Sequence, residues 1–383
     1  MVSKVFYLPT RIVQGIGSLA QIGQIAASYG RRAFLACGKR AMRKAGILDR
    51  AVAELEKAGV ATVVYDKVEG EPTLAIVEEG LALARAERCD MTIGLGGGGA
   101  MDVAKAVAGL FHLAGAVAEY HAGRKLEGPG IPFLAIPTTA GTGAEVSNNA
   151  VLTDTARGLK TSIRDERWHA RVALVDPELT LSVPPPITAS AGGDALCQAI
   201  ESYVSVGAMP ITDALCEDAI RRIGRSLVRA YEVGSDIAAR TDMLYGSLMA
   251  GIALTTARLG AVHGMAHSLG YRYSIPHGVI CALLLPYVME YNMEYAMPKY
   301  ARIADLLGLD TGGLSERETA ERAVAAAYEI VQRIHIPLHL SEFGVRREEW
   351  PMIITESVSA SSTKFNPRPL AVEDVRAILE MAM

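Results

Sequence analysis

Residues 91–105, MTIGLGGGGAMDVAK, decide how this chain is read. Residues 91–95 are apolar or small, as a strand buried on both faces requires; Gly96 to Gly99 then turn the chain, and a helix carrying Asp102 and Lys105 follows. Strand, glycine turn and helix make the unit from which a helix-covered parallel sheet is assembled. Without Cβ atoms, Gly97, Gly98 and Gly99 leave their N–H groups open to a phosphate at a helix N-terminus, where the dipole also favours negative charge. The loop is neither a Gly-x-Gly-x-x-Gly fingerprint near the N-terminus nor a P-loop with Gly-Lys-Ser/Thr at its end. Taken alone it therefore reads equally as a tight turn holding nothing.

The flanking residues repeat the same rhythm. Residues 32–36 (RAFLA) and 60–65 (VATVVY) are strand-like, residues 46–57 between them carry helical spacing, and 72–87 predict a helix with Thr73 as its cap. Further buried strands are expected at 131–137 and 172–175. After Pro184-Pro185-Pro186 the period becomes helical throughout, through Ile220, Ile223, Leu227 and Tyr231, then 243–257, 296–307, 316–333 and 372–381. We expect an α/β domain over residues 1–185 and an all-α domain over 186–383.

Composition narrows the function classes. A chain of 383 residues, half of them hydrophobic, is long enough for two packed cores and is not disordered. Its net charge of -4 does not recruit nucleic acid or an anionic membrane, so the expected partner is a small molecule. The odd number of cysteines (Cys37, Cys89, Cys197, Cys216, Cys281), spread without Cys-x-x-Cys pairing, suggests reduced thiols in a cytoplasmic protein. No signal peptide is visible, and the uncharged stretch 278–289 is too short to span a bilayer.

Residues 260–278, GAVHGMAHSLGYRYSIPHG, hold three of the eight histidines. On a helix His263 and His267 share a face, and His277 returns after a Tyr-Ser-Ile-Pro turn, so the cluster could ligate a divalent metal or pass a proton. In residues 192–201, GGDALCQAIE, Asp194, Gln198 and Glu201 fall on one helical stripe, able to face those histidines, although Asp194 after two glycines could equally cap a helix. Residues 137–145, PTTAGTGAE, offer the hydroxyls of Thr138, Thr139 and Thr142 where a parallel strand ends, the position at which open α/β sheets bind ligands.

The order of these segments, with Ile275-Pro276-His277-Gly278 and a late Asn366-Pro367-Arg368, resembles the iron-containing (group III) alcohol dehydrogenase family nearly end to end. The resemblance implies a dehydroquinate synthase-like architecture with an NAD(P)-binding α/β domain, an all-α domain, and a divalent metal, iron or zinc, in the cleft between them. It makes Asp194, His263 and His277 metal ligands and His267 a second active-site histidine, suited to relaying a proton. It gives Gly97, Gly98 and Gly99 to the pyrophosphate, with Asp102 on the helix that follows, Thr138, Thr139 and Thr142 to the cofactor, and Asn149 and Lys160 to the nicotinamide side. The implied activity is reversible hydride transfer between NAD(P)H and a small alcohol or aldehyde, in a homodimer.

Two positions depart from the family. Its Asp-Ala-x-x-His pattern would put a histidine at position 198, where this chain has Gln198, a neutral and poorer donor, so a weakened site with Gln198 or water as ligand is expected. Where NAD-preferring members carry an Asp at the end of an early strand, this chain reads Cys37-Gly38-Lys39-Arg40. Two cations without a carboxylate favour a 2′-phosphate and hence NADP(H) or dual use. The alternatives are a metal-independent reductase like the maleylacetate reductases, a lyase of the dehydroquinate synthase type, and a nonenzymatic NAD(P)-binding regulator.

Overall fold

Strands form at Arg11–Gln14 (β1), Arg32–Gly38 (β2), Ala61–Val68 (β3), Met91–Gly96 (β4), Phe133–Pro137 (β5), Asn149–Asp154 (β6), Leu159–Arg164 (β7) and Val172–Val175 (β8) of the computed structural model, which describes residues 4–383. Six of them make a parallel sheet in the order β1-β8-β5-β4-β2-β3. Every residue of β4, β5 and β8 is buried, because helices cover both faces. Successive side chains feed opposite cores: Phe34, Ala36 and Ala135 enter one, and Leu35, Cys37, Ile93, Leu95 and Ile136 the other.

The covering helices are Ile22–Ala27 (α1), Ala41–Lys44 (α2), Ile47–Lys57 (α3), Leu74–Ala86 (α4), Gly98–Leu110 (α5) and Val117–His121 (α6). Thr73 caps α4 as its sequence suggests, its Oγ1 accepting the Ile76 N–H at 3.4 Å. The chain passes outward from β2 to β3 on one side and from β4 through β5 to β8 on the other. Strand order therefore reverses between β2 and β4, and the loops at Gly38 and at Gly96–Gly99 leave the sheet at that crevice. Two features were not anticipated: the edge strand β1, and the antiparallel pair β6–β7, registered from Asn149↔Arg164 to Asp154↔Leu159.

This α/β unit comprises Leu8–Thr139 and Ala144–Ser182; the other unit comprises residues 4–7, Ala140–Gly143 and Val183–Met383. The second unit is helical among its described residues: Pro185–Val204 (α7), Pro210–Glu232 (α8), Ile237–Ala257 (α9), Ala261–Tyr273 (α10), His277–Leu306 (α11), Glu316–Arg333 (α12), Trp350–Ser359 (α13) and Val372–Met381 (α14). The proline run opens α7, where a missing N–H costs nothing and the fixed φ suits a first turn. Segments 278–289 and 296–307, separate in the sequence pattern, belong to one helix, α11, bent at Ala296, whose φ of -141° is not helical, two residues before Pro298. No helix among the described residues is long and apolar enough to cross a membrane.

Candidate metal centre and cofactor loops

Glycines bring the metal-side residues together. A Cβ on Gly193 of α7 would lie 2.6 Å from Ala282 Cβ of α11, and one on Gly278 of α11 would collide with the Ser190 carbonyl of α7. The two helices thus touch almost backbone to backbone. A Cβ on Gly192 would strike Leu227, so α8 presses on the same turn of α7. Asp194 is therefore deep inside a helix that began at Pro185, which rules out the capping role its two preceding glycines allowed. Those glycines serve close approach, not termination.

Helix α10 delivers His263 and His267. Its first free N–H groups are taken by side chains from elsewhere: Ala261 N–H donates to Asn366 Oδ1 at 3.2 Å and Val262 N–H to Glu201 Oε1 at 2.7 Å. Asn366 is itself fixed by reciprocal amide bonds with Asn292 at 2.9 and 2.7 Å. After α10 the chain turns at Ser274, φ +55°, and His277 opens α11.

The four metal-side residues converge. His263 Nε2 lies 3.3 Å and His277 Nε2 3.9 Å from Asp194 Oδ1, while Gln198 Nε2 donates to Asp194 Oδ2 at 3.0 Å. Asp194, Gln198 and His263 are buried, and the side chain of His277 keeps 22% of its surface exposed, so the cluster has one accessible flank. His267 stacks on His277, ring centroids 5.3 Å apart and planes 15° from parallel. Glu201, one turn beyond Gln198, takes His263 Nδ1 at 2.7 Å. That bond holds a proton on Nδ1, so Nε2, aimed at the cluster, is the nitrogen that would give up its proton to a cation, and Glu201 is the outer partner a metal-ligating histidine normally has.

The residues fit a divalent cation. Gln198 Oε1 is buried with no hydrogen-bond partner among the described residues, and Asp194 Oδ1 accepts no hydrogen bond of good geometry. Such atoms are costly to leave unsatisfied without a further ligand. Burial works against a charged His263, yet the adjoining Cys281 sulfur, Asp194 and Glu201 outweigh it and hold the ring's pKa well above the ordinary histidine value. A site that gathers this much negative potential is one suited to a cation. Cys281, one turn after His277 on α11, is the neighbour the sequence reading passed over as a plain reduced thiol. Its helical spacing from His277 was the available clue.

The cofactor-side residues lie on the α/β unit, except Thr142, which packs with the helical unit. Gly96 has φ +151°, Gly97 caps α5 without any side-chain bond, and a Cβ at Gly97 would crowd Thr139 Oγ1 at 3.2 Å. Thr138 N–H donates to Gly96 O at 2.9 Å, tying the threonine loop to the glycine loop. The uncapped first turn of α5, reached only past glycines, fits a pyrophosphate. Asp102 and Lys105 on α5 brace the backbone beyond that loop. Asp102 accepts the Val151 N–H at 3.1 Å, and Lys105 donates to Ala144 O, Ser147 Oγ and Asn149 O at 2.8 to 3.0 Å. Burial raises the Asp102 carboxyl to about 7 and lowers the Lys105 ammonium to about 8. Lys160 is held by Glu71 at 2.8 Å. Beside Gly38, Lys39 and Arg40 both reach Glu69, at 3.3 and 3.4 Å. A carboxylate thus stands next to the two cations after all, supplied by the end of the neighbouring strand β3, a pairing not visible in the linear sequence.

Comparison with known proteins agrees over the whole chain. The family described as iron-containing alcohol dehydrogenase matches residues 9–177, and the C-terminal part of the Fe-containing alcohol dehydrogenase family matches residues 188–383. The NAD-dependent methanol dehydrogenase of Bacillus methanolicus is 34% identical, covering 99% of both chains. Lactaldehyde reductase of Escherichia coli K12 is 35% identical over 94% of both. A crystal structure of 1,3-propanediol oxidoreductase superposes with a TM-score of 0.96 at 36% identity, covering 100% of both.

Proposed function

This chain belongs to the iron-containing alcohol dehydrogenase family and is an NAD-dependent, metal-containing oxidoreductase acting on alcohols and aldehydes, and from that premise we propose how its own residues divide the work. Asp194, His263 and His277 would hold the ion, with Gln198 beside them. When bound, the ion supplies a positive charge that polarises the substrate oxygen and stabilises the negative charge building there. Glu201 fixes the His263 tautomer, and Asn366 with Glu201 sets where α10 begins. His267, stacked on His277, relays the proton that the substrate oxygen gains in reduction and loses in oxidation. Gly97, Gly98 and Gly99 bind the pyrophosphate; Thr138, Thr139 and Thr142 bind the cofactor; Asn149 and Lys160 serve the nicotinamide side, on a backbone steadied by Asp102 and Lys105. When bound, the nicotinamide would provide the hydride donor or acceptor.

The observation that carries this reading is the convergence of one carboxylate and two imidazoles from three helices, with a buried glutamate on the outer nitrogen of one ring. Purified protein should oxidise NAD(P)H with a small aldehyde in stoichiometric amounts, lose that activity on exhaustive chelation, and recover it with a divalent metal. Activity untouched by complete metal removal would replace this reading with a metal-independent reductase.

For the cofactor we propose dual use with NADP(H) slightly favoured, through Gly38, Lys39 and Arg40, and with Glu69 as the moderating charge. Glu69 partly neutralises both cations and would oppose a 2′-phosphate; its own pKa is held below the ordinary glutamate value by Lys39 first. Glu69→Gln should therefore raise the ratio of kcat/KM for NADPH to that for NADH by roughly fivefold or more. Steady-state kinetics with the two coenzymes measure it, and an unchanged ratio would remove Glu69 from cofactor choice. All five cysteines are buried and unbridged, which suits the cytoplasmic location we propose. The homodimer we propose, carried by the family resemblance, is checked by sedimentation equilibrium.

A further inference from the structure

Resting on the metal reading above, we infer that the Cys281 thiolate is the fourth protein ligand of the ion, doing what the family pattern assigns to a histidine at position 198. Gln198 then acts from outside the coordination sphere as the donor that orients Asp194.

Four atoms from three helices face one point: Asp194 Oδ1 on α7, His263 Nε2 on α10, and His277 Nε2 and Cys281 Sγ on α11. Cys281 Sγ lies 3.6 Å from His277 Nε2 and 3.9 Å from His263 Nε2. The Asp194 oxygen is 3.3 and 3.9 Å from the same nitrogens, and all four atoms fall within 4.8 Å of one another. A tetrahedral zinc with bonds of about 2.0 Å to nitrogen and oxygen and about 2.3 Å to sulfur has ligand atoms about 3.3 Å apart, or about 3.5 Å where one is sulfur. The four separations given above exceed these values by at most about 0.6 Å. Gln198 is placed differently. Its amide N–H meets Asp194 Oδ2, while both imidazoles lie near Oδ1, and its buried Oε1, without a hydrogen-bond partner among the described residues, takes a water instead of the ion.

The helical register explains why the substitution works. His277 and Cys281 are four residues apart on α11, so their side chains lie on one face, and α11 is pressed onto α7 at Gly278 and Gly193. A donor on the second turn of α11 thus reaches the point that a side chain on α7 would otherwise fill. The chemistry balances simply: the thiol gives up its proton to solvent as the sulfur–metal bond forms. A thiolate softens the donor set, so the site should favour zinc or cobalt over iron more than an oxygen and nitrogen set would.

Replacing the resident ion with Co(II) in the full-length protein tests this without using activity, because a thiolate ligand gives an intense near-ultraviolet charge-transfer band. The wild-type protein should show the band at one cobalt per chain. Cys281→Ser should lose it, with cobalt affinity reduced by about 100-fold or more, whereas Cys197→Ser should keep it. Gln198→Ala should also keep it, with the roughly tenfold loss expected for an outer partner. Cobalt binding without the band, or a band that survives Cys281→Ser, overturns the inference while leaving the metal reading intact. A wild-type protein that takes up no divalent metal overturns both. If Cys281→Ser does not fold, X-ray absorption on the wild-type zinc form decides alone, by the presence or absence of sulfur at about 2.3 Å.

Discussion

His263→Ala protein is expected to purify without its divalent ion and to lose about 10³-fold or more in kcat/KM, while remaining folded. His263 joins two parts of the site: Nδ1 donates to Glu201 at 2.7 Å and Nε2 faces Asp194 at 3.3 Å. Truncation removes a ligand and also releases Asp194 from the neighbour that shares its oxygen. Charge stabilisation by a metal in a dry site is worth several kcal/mol, and about 4 kcal/mol corresponds to a thousandfold in rate. The fold should survive, because the first turn of α10 keeps its two backbone anchors on Glu201 and Asn366. Metal content and turnover measured on the same sample check the prediction. Full turnover in a metal-free variant would show that the ion takes no part in the chemistry.

Lys105→Met should act on stability and not on the metal. The Lys105 ammonium is fully buried and donates to Ala144 O, Ser147 Oγ and Asn149 O, and a methionine removes the one donor that all three share. It also leaves Asp102 and Glu145 buried without the cation that opposes their burial. Breaking a buried charge arrangement from one side costs about 3–5 kcal/mol, which for a domain of this size lowers Tm by about 10 °C or more. The pH dependence adds a signature. Lys105 titrates near 8 folded and near 10.5 unfolded, so between those values the folded state binds fewer protons and stability rises with pH. Asp102, raised to about 7, has the opposite effect between about pH 4 and 7, where the folded state binds more protons and stability falls as pH rises. Thermal melts across pH should show the alkaline rise in the wild type and not in Lys105→Met. A variant that melts with the wild type would mean that the three acceptors find water instead.

How much of this was legible beforehand follows from what each residue answers to. The strands β4, β5 and β8 announce themselves because a doubly covered parallel strand must be apolar throughout, and α12 and α14 because one stripe of each faces the core. The pair β6–β7 did not, since in β7 the side chains of Lys160, Ser162 and Arg164 break up the apolar signal and Lys160 is stabilised by an ion pair to Glu71. The histidine spacing showed which residues could meet, but not what fixed their tautomers. Glu201 sits 62 positions before His263 in the chain, and only the approach of α10 to α7 makes them partners. Two glycines before Asp194 misled for a related reason: a glycine pair serves a helix end and a tight helix crossing equally well. Cys281 and Glu69 were hidden because a lone cysteine in an apolar helix, or a glutamate after a strand, acquires meaning only from what lies beside it in space.

Asn366 has a consequence for how the molecule is made. The N–H that opens α10 is bonded to a side chain 105 residues later in the chain, and that side chain is locked in turn to Asn292. During synthesis the ribosome will have released His263, His267 and His277 well before Asn366 emerges. The nascent helical half therefore waits, with its histidine helix held at Glu201 alone, until residue 366 has emerged, while the earlier sheet already has every strand it needs.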